Sequence, residues 1–208
     1  MKRRLLITVP VILAMTSCGN DGRVEHIENS TDPLSLRHGG DKGSYAQYRP
    51  EGLAEDASWN ALFGAMTPCV VDDSESLTLE EIRWDSPEGT EPEESRVVIR
   101  HFTRTPDDTG FEGLLGTIDD PVNYEIGGTM REGVDGFKVT ARCDDVLTAD
   151  ERDELIISLQ AGPQGAYIRD IEIDYRTGNG DEFTLQHTWE YALCGTKVAE
   201  SFDCSPSK

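Results

Sequence analysis

Acidic side chains are the most numerous groups in this chain that could do chemistry. The 208 residues include 40 Asp and Glu against 19 Lys and Arg, a formal net charge of −21. Carboxylates in loops can bind calcium, and two carboxylates on either side of a sugar can hydrolyse a glycosidic bond. The acids cluster at residues 72–75, 107–108, 119–120, 144–145 and 150–154. No cluster has the D-x-[DN]-x-[DN]-G spacing of a calcium loop, so we predict no metal site and no cofactor.

Other catalytic signatures are missing from the sequence. It contains no G-x-S-x-G nucleophile motif, no H-E-x-x-H zinc motif and no C-x-x-C pair. His187 shares its parity with apolar neighbours such as Trp189, so we expect a buried, hydrogen-bonded imidazole. The negative charge repels phosphate backbones and excludes nucleic acid as a partner. We predict that the protein is not an enzyme; the alternative is an envelope hydrolase that acts on glycans through an unrecognised carboxylate site.

The first twenty residues predict export. Three basic residues precede an apolar stretch at residues 5–15, which is too short to cross a bilayer comfortably. The segment Met15-Thr16-Ser17-Cys18-Gly19 resembles the lipobox of bacterial lipoproteins, in which the Cys is acylated and becomes the first mature residue. The resemblance implies a signal peptide at residues 1–17 and a lipid on Cys18. The membrane is then a partner through this anchor, at the outer face of the cell membrane or in an outer membrane if the cell has one.

The cysteine count agrees with this interpretation. The chain has five cysteines, an odd number for an exported protein, and a lipid on Cys18 leaves four for two disulfides. We expect Cys69–Cys143 to clamp the ends of two strands and Cys194–Cys204 to close a short polar loop. The rival pairing of Cys69 with Cys194 and Cys143 with Cys204 stays open.

A change in composition near residue 60 predicts the domain organisation. Large apolar residues are sparse between the lipobox and Asn60, and such a segment buries too little surface to offset the entropy of ordering. We therefore expect residues 18–60 to be a disordered, lipidated tether and residues 61–208 to be the folded domain.

Alternating apolar and polar residues in the folded domain predict strands. The runs lie at residues 137–143, 155–161, 171–176 and 183–193, and the segment 177–181 (Thr-Gly-Asn-Gly-Asp) between the last two favours a hairpin turn. Residues 59–66 carry apolar side chains at helical spacing, but Pro68 and Gly64 would shorten a helix, so we expect strand or mixed structure there. The pattern predicts an all-β fold, an immunoglobulin-like antiparallel β-sandwich stapled by disulfides.

Two short motifs carry a second resemblance. Thr67-Pro68-Cys69 and the segment Trp189–Gly195, which reads Trp-x-x-x-x-Cys-Gly, are similar to motifs of uncharacterised actinobacterial lipoproteins. That resemblance implies a fold class and no known activity. Trp84 and Tyr124 are candidate ligand contacts, because neither has a clear place in the core pattern. The sequence as a whole predicts a non-enzymatic binding module that contacts an envelope protein or a cell-wall glycan.

Overall fold

The computed structural model describes residues 24–27, 33–37, 43–71, 76–105, 110–146 and 148–205, with the backbone alone for residues 24–27. The predicted signal peptide and Cys18 lie outside these residues. The described chain forms thirteen strands and one 3-10 turn at Val198–Glu200. The strands are β1 (Val24–Ile27), β2 (Leu34–Arg37), β3 (Ser44–Tyr48), β4 (Trp59–Val70), β5 (Leu77–Asp85), β6 (Glu94–Thr103), β7 (Gly113–Leu115), β8 (Thr129–Glu132), β9 (Phe137–Val139), β10 (Glu151–Ala161), β11 (Gly165–Thr177), β12 (Glu182–His187) and β13 (Glu190–Cys194).

The strands form two sheets. The first has the order β1-β12-β11-β13-β3, with β5 also paired to β11 and β9 to β5. The second has the order β2-β4-β10-β6-β8, with β7 also paired to β4. Neighbours are antiparallel except for β1 with β12 and β3 with β13, which are parallel. The all-β sandwich is therefore confirmed, while nothing in this strand order confirms the immunoglobulin-like connectivity.

The main core lies between the two sheets. Leu155, Ile157 and Leu159 of β10 meet Ile171 and Ile173 of β11 in one buried cluster, as the alternation along these strands predicts. The intervening Ile156 faces the other side of the second sheet, in a smaller cluster with Leu62, Val98 and Phe111. The second sheet is thus covered on both faces, by the first sheet on one side and by the loop after β6 on the other.

A β-bulge explains the helical spacing in β4. Phe63 and Met66 both face the main core, and their partners on β10 are Ile157 and Leu155. Three residues of β4 therefore span the interval that two residues of β10 cover. Ala65 absorbs the extra length with a left-handed φ of 59°. A bulge moves apolar residues from a spacing of two to a spacing of three without breaking the strand.

A buried ion pair holds this bulge in place. The carboxylate of Glu154 accepts hydrogen bonds from the backbone N–H of Ala65 (2.7 Å) and of Phe111 (3.3 Å) and from the Arg100 guanidinium (3.0 Å). Arg100 is fully buried and Glu154 is 1% exposed. Arg100 also donates to the carbonyl of Gly127 (2.8 Å). One carboxylate thus ties together β10, β6, the bulge in β4 and the segment that leads into β7.

The prediction of a tether over residues 18–60 is wrong for the part of that segment that the structure describes from Pro33 onward. Leu34 and Leu36 of β2 are buried in the main core, and β2 pairs with residues 67–70 of β4. β3 pairs with the whole of β13. Each of these strands has only four or five residues and gains its stability from a sheet formed by distant parts of the chain. The amino-acid composition of a short segment does not predict pairing with distant strands.

Both expected disulfides are present. Cys69 is bonded to Cys143 and Cys194 to Cys204, which rules out the rival pairing. The Val70 N–H donates to the carbonyl of Ala141 (2.8 Å) directly beside the first bridge. Structural disulfides persist in oxidising compartments, so the folded domain is extracytoplasmic. Within the described residues, no helix has the length and apolar character needed to cross a bilayer.

Glu154→Gln should destabilise the fold strongly. The amide oxygen can still accept the backbone N–H groups, but the buried Arg100 loses the negative charge of Glu154, a change that costs about 3–5 kcal/mol. Glu132→Gln is the matched control, because Glu132 pairs with Arg96 at the surface, where both side chains are at least 46% exposed. That change should cost less than about 1 kcal/mol. Urea unfolding measures both, and equal losses for the two variants would contradict the role given to Glu154.

Candidate functional site

A groove of about 610 Å³ runs beside β3. Every residue of β3 lines it. Its other walls are Glu112 and Gly113 at the start of β7, and Phe202, Asp203 and Ser205 of the C-terminal segment. Three stretches of chain that are far apart in sequence therefore converge on one hollow, which makes it the leading candidate for a binding site.

Parallel pairing with β13 positions the β3 side of the groove. Tyr45 lies opposite Tyr191 in register, and its ring stacks on Trp189 with centroids 5.3 Å apart and planes 17° apart. Gly43 permits this approach, because a β-carbon there would lie 2.8 Å from the Trp189 ring. Trp189 belongs to the main core, so the groove is attached directly to the centre of the domain.

A disulfide positions the C-terminal wall. Tyr48 is opposite Cys194 in register, and the Cys194–Cys204 bond brings the C-terminal segment alongside it. The Tyr48 hydroxyl donates a hydrogen bond to the carbonyl of Ser205 (3.1 Å). Phe202 packs edge-on against Tyr167, with centroids 5.3 Å apart. This wall is therefore held at three points along four residues.

The buried ion pair positions the third wall. Phe111, whose N–H binds the Glu154 carboxylate, is the residue directly before Glu112. The Glu112 carbonyl accepts the N–H of Gly64 in the bulge (3.2 Å). At Gly113 a β-carbon would lie 2.6 Å from the Gln47 side-chain nitrogen, so β7 and β3 approach closely here and a larger residue would push the Gln47 side chain aside.

The groove is acidic. Glu112 accepts a hydrogen bond from the Tyr45 hydroxyl, and burial together with this hydrogen bond raises the pKa of Tyr45. Hydrogen bonds from Ser205 lower the pKa of Asp203, so that carboxylate stays charged in mild acid. Among the described residues that line the groove, none is Lys, Arg or His. Such a surface favours neutral or cationic ligands that can donate hydrogen bonds.

The two aromatic residues proposed from sequence as ligand contacts lie elsewhere. Trp84 of β5 is half-buried against the main core. Tyr124 packs edge-on against Phe111, with centroids 5.9 Å apart, in the cluster on the outer face of the second sheet. The structure does not bring them together, and neither lines the groove.

The other candidates for chemistry do not assemble into a site. His187 is 2% exposed, and its Nε2 lies 3.0 Å from the Tyr191 hydroxyl, which confirms the expected buried imidazole. His101 pairs with Asp153 at the surface (2.9 Å). Across the described residues, no group of three His, Cys, Asp or Glu is placed to hold a metal ion. The acidic runs at residues 72–75 and 107–108 lie outside the description.

Sequence reasoning missed the groove because half of it was assigned to the tether. Tyr45, Gln47 and Tyr48 fall within residues 18–60, and Phe202 and Asp203 were interpreted only as part of the loop that the Cys194–Cys204 disulfide closes. The signal in the sequence was weak. Two tyrosines in five residues favour a strand, but they do not show which strand it pairs with or where in the fold it lies.

No protein-family model, curated protein or solved structure matches this chain. No residue role can therefore be transferred from a relative. The case for a function depends on the geometry, burial and charge of the residues described above.

Opening the Cys194–Cys204 bridge should loosen the groove selectively. For the paired variant Cys194→Ser and Cys204→Ser, we expect a loss of about 3 kcal/mol from the short loop that the bond closes. Backbone amides at residues 44–48 and 202–205 should exchange hydrogen faster, because Cys204 no longer holds the C-terminal wall. The control pair Cys69→Ser and Cys143→Ser should lower stability without singling out these segments. Hydrogen exchange with mass spectrometry measures both, and unchanged exchange at β3 would refute the assignment.

Proposed function

We propose that this chain is a lipid-anchored, non-enzymatic binding module on the outer face of the cell membrane, and that the groove beside β3 holds its ligand. The observation that carries the proposal is the way the groove is built. Its walls are fixed in advance by a disulfide, by an aromatic stack on the core and by a buried ion pair. A site that is ordered before binding loses little entropy when the ligand arrives.

The lining of the groove defines the chemistry of the ligand. Carboxylates, amide and hydroxyl groups offer hydrogen-bond acceptors, and Tyr48 is 40% exposed and presents an aromatic surface. No basic side chain among the described lining residues is available to bind phosphate or carboxylate. The ligand is therefore neutral or positively charged and carries donors, and polyanionic envelope polymers are poor candidates.

The carboxyl groups favour binding over hydrolysis. A glycosidase needs an acid whose pKa is raised and whose carboxyl reaches the substrate. Burial raises the pKa of Glu154 despite Arg100 and two backbone N–H groups, but this side chain is sealed inside the sheet. In the groove itself, Asp203 has a lowered pKa. Glu154 thus has the raised pKa that a catalytic acid needs but cannot reach a substrate, whereas Asp203 lies in the groove but has a lowered pKa.

The anchor has its own test. The N-terminal peptide of the mature protein should begin at Cys18 and carry the mass of attached acyl chains, because the segment Met15–Gly19 has the lipobox pattern. Cys18→Ser should leave the precursor uncut, with residues 1–17 still attached. Mass spectrometry of the membrane fraction distinguishes these forms. A Cys18→Ser protein that is cut and released as wild type, with no acyl mass on the wild type, would disprove the anchor.

The groove can be tested in intact cells by replacing Tyr48 with the photo-crosslinking residue p-benzoylphenylalanine. Irradiation should give a discrete adduct, because this side chain borders the groove and is 40% exposed. The same replacement at Val122, which is 50% exposed and does not line the groove, is the control and should give none. Electrophoresis and mass spectrometry of the purified chain measure the outcome. Equal adducts at both positions, or none at either, would contradict the proposal.

A further inference from the structure

One edge of β3 is open and faces the groove. β3 is the last strand in the order of the first sheet, and no other described strand pairs with its outer edge. All five of its residues line the groove. The strand therefore presents backbone groups, and not only side chains, to whatever enters.

The pairing register shows which backbone groups face outward. The carbonyl of Gly43 accepts the N–H of Glu190 (3.1 Å), so the peptide groups of Gly43 point toward β13. In a parallel pair, alternate residues direct both N–H and C=O to the same neighbour. Tyr45 and Gln47 therefore bond to β13, while the N–H and C=O groups of Ser44 and Ala46 point away from it, toward the groove.

This edge lacks the protection that exposed edges usually have. Natural sheets block their edges with charged side chains, Pro or bulges. β8, at the edge of the second sheet, carries Arg131 and Glu132, and Glu132 is held by Arg96 through two hydrogen bonds. β3 has the sequence Ser-Tyr-Ala-Gln-Tyr, with no charge and no Pro. An unprotected edge inside a preformed groove is the arrangement used for peptide binding by strand addition.

The charge of the groove selects the partner. Glu112 and Asp203 lie on the two walls that flank β3, and the described lining holds no basic side chain. A second copy of this chain, itself at −21, would be repelled. We propose that β3 receives an extended, basic segment of an envelope polypeptide as an added strand, through the backbone groups of Ser44 and Ala46, with Lys or Arg side chains directed at Glu112 and Asp203. This inference depends on the proposed function of the groove.

The added strand is short. Five residues of β3 extend for about 17 Å at the rise of a β-strand, so a segment of about five to seven residues covers the edge. A strand added to one edge bonds through every second residue. The partner is therefore recognised by its backbone at alternate positions and by the basic side chains that reach the carboxylates.

The experiment measures fluorescence anisotropy of labelled heptapeptides with the full chain purified in detergent. The first probe alternates Lys and Val. Two more probes carry the same sequence with N-methyl groups on the amides of the odd or of the even residues. We expect the unmethylated peptide to bind, one methylated form to bind at least tenfold more weakly, and the other to bind as the parent does. A peptide with Glu in place of Lys should not bind.

Two chain variants test the two halves of the recognition. Ala46→Pro removes an N–H that faces the groove and leaves the ladder to β13 intact, so binding should be lost while the melting temperature holds. Ala46→Val keeps this N–H and changes only the side chain, so it should retain more binding than Ala46→Pro. The paired variant Glu112→Gln and Asp203→Asn should bind about tenfold more weakly at low salt. Glu132→Gln, which removes one surface charge outside the groove, should not change affinity.

Four results would overturn the inference. Equal binding of both methylated peptides, or unchanged binding by Ala46→Pro, would mean electrostatic adsorption without strand addition. Binding of a neutral oligomer of N-acetylglucosamine with no peptide binding would replace the peptide by a glycan and leave the proposed function of the groove standing. Absence of both, together with no adduct from position 48 in cells, would remove the proposed function as well.

Discussion

The structure depends on one buried carboxylate. Glu154 is 1% exposed and binds the guanidinium of Arg100 and the backbone of Ala65 and Phe111. A buried ion pair is expensive to desolvate, and an apolar pair of similar volume would often give equal or greater stability. An apolar side chain, however, cannot accept two backbone N–H groups. The main role of the pair is therefore to fix geometry. From the middle of the second sheet, it holds the bulge in β4 and the segment before β7 in one arrangement.

The groove is a consequence of that arrangement. The N–H of Gly64 in the bulge donates a hydrogen bond to the carbonyl of Glu112, and this bond helps to place β7 beside β4. β7 in turn meets β3 at Gly113 and Gln47. β3 belongs to the first sheet and β7 to the second. The hollow thus lies where the edges of the two sheets approach each other without pairing. On the opposite side, the Cys194–Cys204 bond ties the C-terminal wall to the end of β13 in the first sheet. Two unrelated constraints meet at one site.

The sequence predicted the features that depend on hydrophobic periodicity and on the number of cysteines. Alternation located β10 and β11 and gave residues 183–193 as one run, which the structure divides into β12 and β13. An odd cysteine count led to the two disulfides that the structure contains. At the bulge the spacing alone was misleading, because one inserted residue shifts the phase and imitates helical spacing. The expectation of strand or mixed structure there, which came from Gly64 and Pro68, is confirmed by β4. Periodicity also could not identify Arg100 as buried, since the partner that compensates its charge lies 54 residues further along the chain. The sequence analysis missed β2 and β3 for a similar reason. Their pairing is non-local, and four or five residues carry too little pattern to reveal it.

The charge of the chain and its open edge are best understood together. An unprotected strand edge is normally a liability, because it can pair with the same edge of another copy. Strong like charge keeps two copies apart, and at −21 this chain opposes every such encounter. The same charge attracts a basic partner. An open strand edge that would promote aggregation of a neutral protein is therefore tolerable here. The strong negative charge of the chain is the condition that allows β3 to stay open. Selectivity then follows from two tests that a ligand must pass together, an extended backbone with free N–H groups and a positive charge at the spacing of Glu112 and Asp203.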